Sequence, residues 1–296
     1  MNNNRFLLLI PLLLFATSSS LSFSCDKDGV TGFFPDSAKI KVNTSSPFLP
    51  SGISKEDFED VLSRLDKIYS PVVKGFGAKL KFVNNWDNDT INAYAKQSDE
   101  NWIVAMFGGF ARYSGMTKDS FTLVACHELG HHIGGAPKKE GFDAMWASNE
   151  GQADYFASLK CFRKYADGED HEEIIKDYIH QVPSEAIKSC SDSFLDDSEK
   201  ALCIRTAHAG FQLAEVMRHI MFDTLKVSLA KKSPIIVKKT NHDHPNTQCR
   251  LDTFFAGSLC NISMFEEVSQ QNPEDGSCTV SKGYEHGVRP LCWYKP

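Results

Sequence analysis

The chain has 296 residues, 42% of them hydrophobic, and a formal net charge of -6. That length and apolar content exclude a disordered chain and allow one large domain or two small ones. The acidic balance, with no clustered basic face, argues against a nucleic-acid partner.

At the amino terminus, Arg5 precedes an apolar run over residues 6–16, and small residues follow at Ser18, Ser19, Ser20, Ser22 and Ser24. This reads as a secretory signal peptide over residues 1–24, because a spanning helix needs about 20 apolar residues. Cleavage after Ser24 leaves Cys25 first. A lipid anchor on Cys25 is the rival reading, and Ser22 and Phe23 match its pattern poorly. No later run is long enough to span, so the expected product is exported, periplasmic or secreted, with no membrane span once the signal is removed. Nine cysteines suit an oxidising compartment. Nearness in sequence alone favours the pairs Cys190–Cys203, Cys249–Cys260 and Cys278–Cys292. Cys126, inside an apolar helical run, is the one expected to stay free as a small hydrophobe.

Residues 25–53, with Gly29, Gly32, Pro35, Pro47 and Pro50, predict an irregular arm. Ser54 opens a helix by its capping-box spacing to Asp57, and apolar residues recur at helical intervals from Phe58 to Val72. Leu80 to Val83 and Trp102 to Phe107, set between Asn, Asp and Gly residues, predict strands. A helix then starts near Thr117 and runs to Gly134 and Gly135, where Pro137 forbids continuation. Further helices are expected over residues 149–165, 172–179 and 198–229. One large domain is placed at residues 54–257 and a cysteine-rich tail at 258–296.

Residues 127–131 read His-Glu-Leu-Gly-His. On a helix this puts His127 and His131 one turn apart on one face, where two imidazoles can reach one ion. Zinc suits two neutral imidazoles and a carboxylate with a fourth position open to water, and Glu128 beside them is the candidate general base. A third His six residues after the second is excluded, because position 137 is Pro. The remaining solution is a Glu on a later helix. Glu150, 19 residues beyond His131 (150 minus 131), has Asp154 one turn after it, placed to accept the outer N–H of a zinc-bound imidazole. A second cluster, Asn241-His242-Asp243-His244-Pro245, precedes Arg250. His242 reads as a loop residue, while His244 and Arg250 are candidate catalytic donors to a developing oxyanion.

The ordered set Asn92-Ala93-Tyr94-Ala95, His127-Glu128-Leu129-Gly130-His131, Glu150 to Asp154, and His244-Pro245 with Arg250-Leu251 resembles the gluzincin endopeptidases related to the HtpX heat-shock protease and the CAAX prenyl protease. The likeness covers about residues 90–255. It implies an α+β, zincin-like fold, mainly helical, with a small mixed sheet beside the His-Glu-x-x-His helix. It also implies that the strand near Ile103 to Phe107 edges the cleft and pairs with an extended substrate backbone, and that His244 and Arg250 assist the transition state. Those relatives are commonly membrane-built, so this chain looks closer to soluble exported members. The expected activity is zinc-dependent hydrolysis of peptide bonds in exported or misfolded proteins, with protein or peptide substrates as partners. A peptidase of narrow specificity and a non-catalytic binding module on the same fold are the alternatives.

Overall fold

A computed structural model of the chain describes residues 30–34, 52–141 and 145–296. The signal segment, Cys25 and most of the irregular arm lie outside the described residues.

Four strands form one sheet: β1 (Val30–Gly32), β2 (Lys79–Asn85), β3 (Ala93–Ser98) and β4 (Asn101–Phe107), in the spatial order β1-β3-β4-β2. β3 and β4 make an antiparallel hairpin whose turn places Asp99 at φ 51°, a left-handed conformation that Asp tolerates. β2 runs parallel to β4, pairing Leu80 with Trp102, and β1 runs antiparallel to β3. The sheet is therefore mixed, as expected. The strand role is not: β4 is interior, hydrogen-bonded on both sides, and cannot offer an edge to another chain. The extended segment that does pair beside the site does so on β3.

The helices are α1 (Lys55–Gly75), the single-turn α2 (Gly108–Ala111), α3 (Lys118–Ile133), α4 (Glu150–Phe156), α5 (Phe162–Ala166), α6 (His171–Lys176), α7 (Ser184–Ser193), α8 (Asp197–Ile220) and α9 (Thr247–Leu259). Ser54 caps α1 by accepting the Asp57 N–H, and Phe58, Val61, Leu62, Leu65, Tyr69 and Val73 bury one stripe of it. Thr117 caps α3, which is buried from Ser120 to Ile133 and packs against α1, α4, α8 and β3. A helix buried all round forms the centre of the fold, and the His-Glu-x-x-His residues are therefore interior.

Of the remaining expectations, one helix forms with an inserted π turn, one ends earlier, and the disulfide pairing differs in part. The helix over 149–165 is one helical run from Glu150 to Ala166 interrupted by a π turn at Ala157–Cys161. The helix expected to reach residue 229 stops at Ile220. Beyond it the backbone is irregular and is held from α9, where the Gln248 side chain accepts from Ser228 N–H at 2.9 Å and donates to Ser228 O at 2.8 Å. Periodicity from Val227 and Leu229 persists there because both are buried, not because they are helical.

The disulfides also depart from nearness in sequence. Cys190–Cys203 forms as expected and joins α7 to α8. Cys126 is not free: it bonds Cys161 and ties α3 to the π turn. Cys249 pairs with Cys292, and Cys260 with Cys278. Sequence neighbours lost because α9 and the tail bring distant cysteines face to face. Closing loops of 13 to 43 residues, each bridge contributes about 2–4 kcal/mol in the chain-entropy account.

The tail is packed onto α4. Trp293 is fully buried with its ring over Gly151, where a Cβ would fall 2.2 Å from Cδ2, so only glycine admits the indole there. Arg289 Nε donates to Gln152 Oε1 at 2.7 Å. Trp293→Ala is expected to cost about 3–5 kcal/mol in urea unfolding, because it empties the largest buried side chain on the helix that begins with Glu150. A change below about 1 kcal/mol would mean that the tail does not brace α4.

Candidate metal centre

Local sequence sets the geometry. His127 and His131 lie on the buried face of α3, and Gly130 between them lets α4 approach, since a Cβ there would stand 3.2 Å from Ala153 Cα. The chain returns from α3 through the loop before Ser148, whose N–H donates to His131 O at 2.9 Å. Asn149 then caps α4 by accepting the Gln152 N–H at 2.8 Å, which fixes Glu150 as its first residue.

His127 Nε2 and His131 Nε2 face each other at 3.1 Å. Glu150 Oε2 lies 3.2 Å from His127 Nε2, and Oε1 lies 3.7 Å from His131 Nε2. Two ligand atoms each ~2.0–2.1 Å from one tetrahedral ion stand about 3.3 Å apart, so the spacing fits a metal. His127, Glu128 and His131 offer ligand atoms within 4.8 Å of one another and can hold an ion. The outer nitrogens are engaged: His127 Nδ1 meets Asp154 Oδ1 at 2.7 Å, and His131 Nδ1–H donates to Ser148 O at 2.8 Å. Pinning Nδ1 as a donor aims each Nε2 inward.

Buried charges of both signs crowd this point. Burial opposes charge on His127, but Asp154 and Glu150 outweigh it and push the ring up to about 9, so in the metal-free protein its Nε2–H faces the neutral His131 and Glu150. Burial holds His131 well below the ordinary range. Burial also resists charge on Glu150, yet the Lys139 ammonium and the hydrogen bond from His127 outweigh it and hold its carboxyl well below the ordinary range. Lys139, itself buried, places Nζ 2.8 Å from Glu150 Oε1. Burial raises Glu128 to about 8, and neither of its oxygens accepts a hydrogen bond among the described residues.

His244 Nε2 stands 3.1 Å from Glu150 Oε2 and 2.8 Å from Gly32 O. Burial drives His244 down to about 4, so the ring is neutral; a carbonyl only accepts, and Nε2 therefore carries the proton. Arg250 grips Asp154 with two bonds of 2.8 Å, Nε to Oδ2 and Nη2 to Oδ1, and its Nη1 donates to Phe33 O at 2.9 Å. Arg250 thus holds the carboxylate that holds His127 and lies one carbonyl away from the His244 contact. His242 sits apart, 3.4 Å from Glu140.

The six residues singled out in the motifs, His127, Glu128, His131, Glu150, Asp154 and His244, are brought together, with Arg250 behind them. Sequence reading missed Lys139, Ser148, Gly32 and Phe33. Only the Lys138-Lys139 pair after Pro137 and the Gly-Phe-Phe run were visible as signals. His132, next to the motif, is structural: it is stacked between Trp102 and Trp146, and its Nε2–H donates to Ile103 O at 3.0 Å.

Among the described residues no helix is long and apolar enough to cross a membrane, and the four disulfides fit an exported protein. No family model matches the chain, and neither a curated protein nor a solved structure matches it.

Proposed function

We propose that the chain is an exported zinc-dependent endopeptidase of gluzincin type that cuts extended segments of exported or misfolded proteins. The observation that carries this reading is the convergence of His127 Nε2, His131 Nε2 and the Glu150 carboxylate at 3.1–3.7 Å, with the unpartnered Glu128 beside them. His127, His131 and Glu150 would hold the ion, leaving one position open. Bound there, zinc supplies Lewis acidity that makes water nucleophilic near neutral pH.

The protein's own groups do the rest. Glu128 takes a proton from the attacking water and passes it to the leaving nitrogen, which is why its oxygens are left without other partners. The neutral His244 donates Nε2–H to the carbonyl oxygen as charge develops on it. Arg250 fixes the next carbonyl, and through Asp154 it sets the orientation of His127. β3 supplies backbone groups to an extended chain. Order and spacing of the motifs, which resemble the gluzincins, support the same assignment.

Purified protein is expected to hold one equivalent of zinc and to cleave unfolded casein. A chelator should abolish that cleavage and added zinc restore it. Cleavage that survives complete removal of the metal would refute the reading.

A further inference from the structure

The segment Val30–Phe34 lies against the site, extended over Val30–Gly32 and bending at Phe33 and Phe34. Val30, Thr31 and Gly32 pair antiparallel with Lys96, Ala95 and Tyr94 of β3. The alignment continues past the strand: Phe33 N–H donates to Ala93 O at 3.0 Å, and Phe34 N–H donates to Asn92 Oδ1 at 3.1 Å. On the other side the carbonyls are taken by side chains of the candidate centre. His244 Nε2–H reaches Gly32 O at 2.8 Å and Arg250 Nη1 reaches Phe33 O at 2.9 Å.

A strand that merely completed a sheet would leave those carbonyls to water at the sheet edge. Here they lie on groups that also touch Glu150 and Asp154. The Phe33 side chain is fully buried in a pocket built from the same site, with the Arg250 guanidinium 4.1 Å above its ring and the rings of His127 and Phe110 at 5.0 and 5.4 Å. The carbonyl nearest His244 is that of Gly32, and the aromatic pocket is filled by the residue that follows it.

We propose that this segment is the enzyme's own substrate and that the Gly32–Phe33 peptide bond is the bond cut. The site would accordingly favour peptides with an aromatic residue immediately after the cleaved bond. The inference rests on the endopeptidase reading above. The oxygen of one water bonds to the Gly32 carbonyl carbon, and the bond from that carbon to the Phe33 nitrogen breaks. Glu128 relays the water's protons to that nitrogen, which leaves a carboxylate on Gly32 and an ammonium on Phe33. No oxidant or second substrate is needed.

The test uses the full chain, stripped of metal and then given zinc, and follows intact mass, the new amino terminus and casein cleavage together. Wild type is expected to yield a species beginning at Phe33, whether on zinc addition or already during expression. Glu128→Gln should stay whole, and Phe33→Ala should be cut at this bond about 100-fold more slowly or worse. In Glu128→Gln, hydrogen exchange at the Phe33 amide should be slow, a readout of seating that needs no turnover. Casein cleavage by a wild type whose 32–33 bond persists would overturn this inference and spare the endopeptidase reading. No cleavage of either would overturn both, and a freely exchanging Phe33 amide would overturn the seating.

Discussion

Glu128→Gln is expected to lower peptide hydrolysis by about 100- to 10,000-fold, the range for loss of a positioned general base, while zinc content stays at the wild-type level. The carboxyl is fully buried and makes no hydrogen bond that the substitution would break. In the metal-free protein burial raises it to about 8, so near neutral pH it is mostly protonated there and glutamine replaces a neutral group of the same shape. Stability of the metal-free variant should therefore stay within about 1 kcal/mol of wild type in urea. With a cation in the adjacent site the balance reverses, because a nearby positive charge favours the ionised carboxylate. A bound metal thus shifts Glu128 toward the form that acts as a base. Equal casein turnover by wild type and variant would remove Glu128 from the role.

Local patterns carried much of this into the sequence. The caps at Ser54 and Thr117, the apolar stripe of α1 and the one-turn spacing of His127 and His131 depend on residues within a few positions of each other. Glu150 and Asp154 share that logic, being one helical turn apart. What sequence hid is what separation hides. Phe33 meets Arg250 across 217 positions, and nothing in a short Gly-Phe-Phe run says that β3 will receive it. The interior place of β4 depends on β2 pairing with the side that β3 leaves free, a matter of topology and not of pattern. Cys126 is apolar in its surroundings and bonded all the same, because the π turn brings Cys161 onto α3. The tail's function as a brace rests on the absence of a side chain at Gly151, which no composition reveals.

Asp154→Ala is expected to destabilise the metal-free protein by about 3–5 kcal/mol and to weaken zinc binding about 10- to 100-fold. Both effects have one source. Asp154 is fully buried, carries two bonds from Arg250 and one to His127 Nδ1, and its removal leaves a buried guanidinium uncompensated. Burial opposes the charge on Asp154, but Arg250 and His127 outweigh it and hold the carboxyl below its ordinary range. A depressed folded value gives stability that is present above the unfolded value and lost as pH falls through the folded one. The gap between wild type and variant in urea should accordingly narrow in acid below the ordinary carboxylate range. Zinc titration separates the second effect, since a loosened His127 weakens the site even where the fold survives. Asp154→Ala combined with Arg250→Leu should be more stable than Asp154→Ala alone, because the stranded charge is gone. If the double variant is less stable than the single one, the cost lies in lost packing around Arg250, and the electrostatic account of this pair fails.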